Sequence, residues 1–116
     1  MKNPHIDSYR FGKIVIDGKV HKKDVIILPD QVIGSWWREE GHLLQSADLR
    51  EILEAAPEIL VVGMGSISQM RVAQELKEAV INAGIELISL PTVEACQEYN
   101  RRSKENKVAA ALHLTC

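Results

Sequence analysis

Glu58-Ile59-Leu60-Val61-Val62-Gly63-Met64-Gly65-Ser66 is the stretch on which the fold turns. Between Glu58 and Gly63 the chain is continuously apolar, without the polar alternation of a half-exposed strand. Such a run suits a strand buried on both faces, as in a parallel sheet covered by helices. Gly63-Met64-Gly65-Ser66 then reads as a tight turn. Beyond it, Val72, Leu76, Ala79, Val80 and Ala83 fall on one helical stripe, and Gly84 is a natural C-terminal stop. The unit is strand, turn, helix.

The pattern continues outward from this unit. Ile85 to Leu90 is a second buried strand. Pro91-Thr92 opens a helix through Val93, Cys96 and Tyr99 to about Ser103, and Val108 to Leu114 is the last strand. Upstream, Ser46 to Glu51 offers a helix start, with Asp48 and Glu51 at capping-box spacing and a stop near Pro57. Alternating helices and strands predict an α/β fold with parallel pairing through right-handed crossovers. The first third is different. Tyr9 to Ile16 reads as a strand ending at the hairpin pair Asp17-Gly18, with Lys19 to His21 returning beside it. Asp24 to Leu28, closed by Pro29-Asp30, and Val32 to Trp37 extend an antiparallel meander. Short connections predict a single domain over 1–116.

Composition narrows the function classes. The chain has 116 residues, 46 % hydrophobic and 26 % charged, with a net charge of −2. That is enough apolar matter for a core without disulfide staples. No stretch gathers five like charges, so neither nucleic acid nor a membrane surface is an expected partner. The opening Met1-Lys2-Asn3-Pro4-His5 has no apolar core of a secretory leader, and no run approaches the ~20 residues of a membrane span. A cytoplasmic protein is expected. The two cysteines, Cys96 and Cys116, form neither a disulfide framework nor a zinc motif. His5, His21, His42 and His113 show no paired spacing. No nucleophile motif occurs, so no cofactor is expected and the sequence leans away from an enzyme.

Two places stand out chemically. The first is the Gly63–Ser68 turn, with ligand candidates Gly63, Gly65, Ser66 and Arg71. If a helix starts there, its free N–H groups attract a small anion. The turn lacks the third glycine of the dinucleotide fingerprint and the lysine of a P-loop. Thr92 is a candidate N-cap at the neighbouring turn, and carboxyl ends of adjacent parallel strands would bring it near Gly65 and Ser66. The second place is Trp36-Trp37-Arg38-Glu39-Glu40-Gly41-His42. Trp37, Arg38 and His42 are candidates for an interaction surface, because Trp and Arg are enriched where binding energy concentrates. On a strand one Trp would enter the core and the other would face outward. Asn100, unhelpful in mid-helix, is expected to satisfy a neighbouring backbone group.

Ile6-Asp7-Ser8-Tyr9-Arg10-Phe11-Gly12, Trp36-Trp37-Arg38 with Gly41-His42, Val61 to Gly65, Thr92 to Asn100 and Val108 to His113 together carry a resemblance. The chain resembles the uncharacterised small-domain family that includes the adipogenesis-associated domain protein and the mitochondrial complex I assembly factor 3. The resemblance implies three layers: a central, mixed and mostly parallel sheet, helices on it, and an N-terminal hairpin or meander layer. It implies no reaction, and it implies action through protein contacts. Where the family commonly has Gly-Thr-Gly, this chain has Gly63-Met64-Gly65.

Two functional readings follow. One is a non-catalytic interaction or assembly-type module with a protein partner. The other is a binder of, or enzyme acting on, a small anion at Gly63–Ser68. Self-association into a homo-oligomer over the Trp36/Trp37 surface is a third way to cover that patch.

Overall fold

In the computed structural model, which describes residues 3–116, the helices and the longer strands follow the order expected, with revised boundaries and two further short strands at Leu43–Leu44 and Arg71–Val72. Met1 and Lys2, which open the segment read for a secretory leader, lie outside the described residues. In chain order the elements are β1 (Ile6–Arg10), β2 (Lys13–Ile16), β3 (Lys19–His21), β4 (Val25–Leu28), β5 (Gln31–Ile33) and β6 (Leu43–Leu44). A 3-10 turn (Ser46–Leu49) leads into α1 (Arg50–Ala55), then β7 (Ile59–Gly63), β8 (Arg71–Val72) and α2 (Gln74–Asn82). Next come β9 (Glu86–Leu90), α3 (Thr92–Arg102) and β10 (Val108–Leu112).

The central sheet runs β5-β4-β10-β7-β9. β10 and β9 pair with β7 in parallel, while β4 pairs with β10 antiparallel. The sheet is therefore mixed, and its α/β class is as expected. β1, β2 and β3 form a separate antiparallel sheet, and β6 pairs with β8 in parallel.

Side-chain alternation divides the core between the two faces of the sheet. Val61, Ala110 and Leu112 pack with Ala95, Cys96 and Tyr99 of α3 and with Ile6, Ile14 and Ile16 of the small sheet. Leu60, Val62, Ala109 and Ala111 pack on the other face with Leu49, Ile52, Leu76 and Val80. On the α3 face of β10 the small Ala110 leaves room for the helix to approach the middle of the sheet. Burial pushes the Cys96 thiol up to about 12, which keeps it a protonated, inert core group. Asn100 uses its amide as a peptide mimic: Oδ1 accepts from Ile6 N–H at 3.0 Å and Nδ2 donates to Ile6 O at 2.7 Å. This ties α3 to the edge of β1, the role expected for it.

Five local expectations are corrected. The strand over Tyr9–Ile16 is broken at Phe11-Gly12, where Gly12 has φ +78°. The run Val32–Trp37 stays extended only to Ile33, because Ser35 takes φ +54° and turns the chain. The meander is not continuous, since β3 and β4 belong to different sheets. Asp48 closes a capping box with Gln45, not with Glu51. Most consequentially, no helix starts at Gly63–Ser68. Seven residues of loop (64–70) and the short β8 intervene before Gln74, and Val72 belongs to β8. Among the described residues no helix is long and apolar enough to cross a membrane.

Candidate functional site

The carboxyl ends of β7, β9 and β10 lie at one end of the central sheet, together with the start of β4 and the end of β5. Thr92, at the first turn of α3, joins these strand ends. Its hydroxyl donates to His113 O at 2.7 Å and accepts from Gly65 N–H at 2.8 Å. Its own N–H donates to Gly65 O at 3.1 Å. Thr92 is thus a fully buried link between three strand ends, and Pro91 holds the N-cap position expected for it.

The 64–70 loop spends six of its seven amides internally. Met64 N–H donates to Leu90 O, Ser66 N–H to Thr115 O at 2.7 Å, and Gln69 N–H to Cys116 O at 3.0 Å. Gly65 has φ +103°, and a Cβ there would lie 2.3 Å from Cys116 O, so the tail closes over this glycine. Gly63 and Gly65 are buried and Ser66 is exposed. Gly65 and Thr92 do meet, but no helix N-terminus supplies the amides on which the anion argument rested. Arg71 is exposed on β8, its N–H fixed to His42 O at 2.8 Å.

A charged cluster that the sequence did not reveal sits beside this link. Asp24, just before β4, accepts at Oδ2 from Arg38 Nη1 at 2.8 Å and from His113 Nδ1 at 2.8 Å. Its Oδ1 accepts from Leu114 N–H at 2.8 Å. Burial alone would push the Asp24 carboxyl up. The hydrogen bonds from His113, Leu114 and Arg38 together outweigh burial and hold it below the usual carboxylate range. An ionised carboxylate only accepts, so Nδ1 of His113 carries the proton of this bond. Arg38 Nη2 then donates to Gly41 O at 2.7 Å. His113 Nε2 is buried and has no partner among the described residues, and the His42 ring stands edge-on to His113 with centroids 5.7 Å apart. The cluster binds the β4 start, the 38–41 loop and the C-terminal tail to one another.

The tryptophan segment divides. Trp36 Nε1 donates to Asp48 O at 3.0 Å, and the Arg38 guanidinium lies over its ring, 4.7 Å from the centroid. Arg38, expected on an exposed surface, is only 8 % exposed, because Asp24 and Gly41 O draw it inward. Trp37 between them is 76 % exposed. The inward–outward division is the one expected, though a turn at Ser35 and not strand alternation produces it. His42 is exposed at the rim. The signal for the cluster was a lone acid opening the wholly apolar Val25–Leu28 run, and a histidine ending another. Nothing in their spacing links them across 89 residues.

These features define a small α/β domain class with a helix-and-hairpin-covered mixed sheet. Residues 6–113 match the model of a family described as protein of unknown function (DUF498/DUF598), and the chain belongs to that family. The fold is similar to that of conserved hypothetical protein PH1505 from Pyrococcus horikoshii, with 27 % identity, a TM-score of 0.82, and 96 % of this chain and 98 % of that one covered. It is also similar to a structure described as an outer membrane protein from Bartonella henselae, at 22 % identity and a TM-score of 0.82 over 99 % and 98 % of the chains. A Mth938-like domain protein from Bordetella pertussis is 18 % identical with a TM-score of 0.69 over 96 % and 85 %. The last two likenesses bear on the fold alone.

Proposed function

We propose that this chain is a cytoplasmic, non-catalytic interaction module that docks a partner protein on Trp37. The observation that carries the reading is that this side chain, 76 % exposed, stands between two residues that are themselves fixed. Trp36 is pinned through its indole N–H and through its backbone N–H, which donates to Asp24 O at 2.8 Å, and the Arg38 side chain is fixed by Asp24 and Gly41, so both neighbours of Trp37 are held. With its neighbours fixed, the segment that carries this aromatic side chain loses little conformational freedom on docking. Phe11 and Ile67, 62 % and 66 % exposed, lie on loops that hydrogen-bond to the same C-terminal tail, at Leu114 and Thr115. They extend the apolar character of that end of the domain. Two free cysteines suit a reducing compartment.

The test is photocrosslinking in cells from p-benzoylphenylalanine placed at position 37, with the exposed position Arg50 as control. A discrete adduct with one other protein is expected, competed by excess wild-type chain and not by Trp37→Ala. Adducts only between copies of this chain, or the same adducts from position 50, would overturn the reading.

A further inference from the structure

Apart from the Trp37 surface, a cleft of about 420 Å³ opens between the 64–70 loop, β8, α2 and β9. Its lining comprises Met64, Ser68, Met70, Arg71, Val72, Lys77 and Ser89. That is two cations, two hydroxyls and three apolar side chains, with no carboxylate. On a chain whose net charge is −2, this is a local reversal of sign.

The nearby acids are engaged elsewhere. Glu75 holds Ser46 through its N–H at 2.9 Å and its hydroxyl at 2.6 Å. Glu78 accepts from Gln74, and Glu86 pairs with Arg102 at 2.6 Å. Among the described residues, neither Arg71 nor Lys77 has an acidic partner within 4.0 Å. The frame behind them is fixed. Arg71 pairs with Leu43 in the small parallel sheet, and Met70 N–H donates to Met64 O at 3.0 Å.

We propose that this cleft binds a small phosphate monoester, its phosphoryl oxygens on Arg71, Lys77, Ser68 and Ser89 and a compact apolar group against Met64, Met70 and Val72. Arg matches phosphate with a planar fork of donors, and Lys adds a point charge. Hydroxyls satisfy the remaining oxygens, and thioethers adapt to varied apolar shapes. The volume lies within the common range for small-molecule sites, about 300–1,000 Å³. This moves the anion from the loop amides, six of which are occupied, to side chains on the loop's flank. The proposal is independent of the Trp37 reading, since Trp37 does not line the cleft.

Titration of the full chain with phenyl phosphate, followed by amide NMR, tests it. Saturable shifts confined to Ser68, Arg71, Lys77, Ser89 and their neighbours are expected. Arg71→Gln and Lys77→Gln, both on exposed side chains, should each weaken binding about tenfold, and added salt should weaken it further. Lys104→Gln, in a different cleft, should change nothing. No saturable shift, or equal weakening by Lys104→Gln, would overturn the proposal.

Discussion

Arg38 donates from Nη1 to Asp24 Oδ2 over 2.8 Å, with only 5 % and 15 % of the two side chains accessible. This ion pair sets the position of the 36–38 segment, because Asp24 also anchors the tail through Leu114 N–H. Removing one partner of a buried pair strands the other charge away from water.

Arg38→Met should therefore destabilise the fold by about 3 kcal/mol, the lower part of the range for breaking a buried pair, since His113 still supports Asp24. Urea denaturation measures this. In the double variant with Asp24→Asn, the loss should be clearly smaller than the sum of the single losses. Simple additivity would mean that the pair does not act as a unit.

Stability should also depend on acid through Asp24. Its folded-state carboxyl titrates below the ordinary value of 3.8, so the folded chain binds fewer protons than the unfolded chain in that region. The contribution is complete above the unfolded value and is lost as pH falls through the lower, folded one. Denaturation midpoints from neutral pH downward should fall more steeply in wild type than in Asp24→Asn. Identical slopes would contradict the assignment.

Thr92→Val keeps the shape and removes the hydroxyl, leaving the Gly65 N–H and the His113 carbonyl without this partner. A loss of about 2–3 kcal/mol is expected, the scale of buried polar groups left unmade. Thr92→Ser should recover most of it. Equal destabilisation by both variants would show that packing of the methyl group matters more than the hydroxyl.

The parts of this molecule legible in its sequence were those set by local pattern. Ile59–Gly63 and Val108–Leu112 announce buried strands by being wholly apolar, and Asp17-Gly18 announces its turn by the backbone angles it tolerates. The loop after Gly63 was misread because the stripe of Leu76, Ala79 and Val80 extends backward by periodicity to Val72. Pairing of Arg71 and Val72 with Leu43 and Leu44 overrides that local preference. The Asp24–Arg38–His113 cluster was illegible for a different reason. Its members come from three loops joined only by the folded sheet, and no spacing rule reaches that far. Lys77 and Ser89 were missed as cleft residues because each, alone, is an ordinary surface residue. Trp37 stood out by type, whereas its rigid setting required the contacts of Trp36 and Arg38.

The docking claim is tested most directly by the dissociation constant of the purified crosslinked partner, measured by calorimetry against wild type and Trp37→Ala. An anchor of this kind carries at least about 2 kcal/mol, so Trp37→Ala should weaken binding by about thirtyfold or more. The denaturation midpoint should stay unchanged, because the side chain is exposed. Affinities that agree within about twofold would contradict the claim.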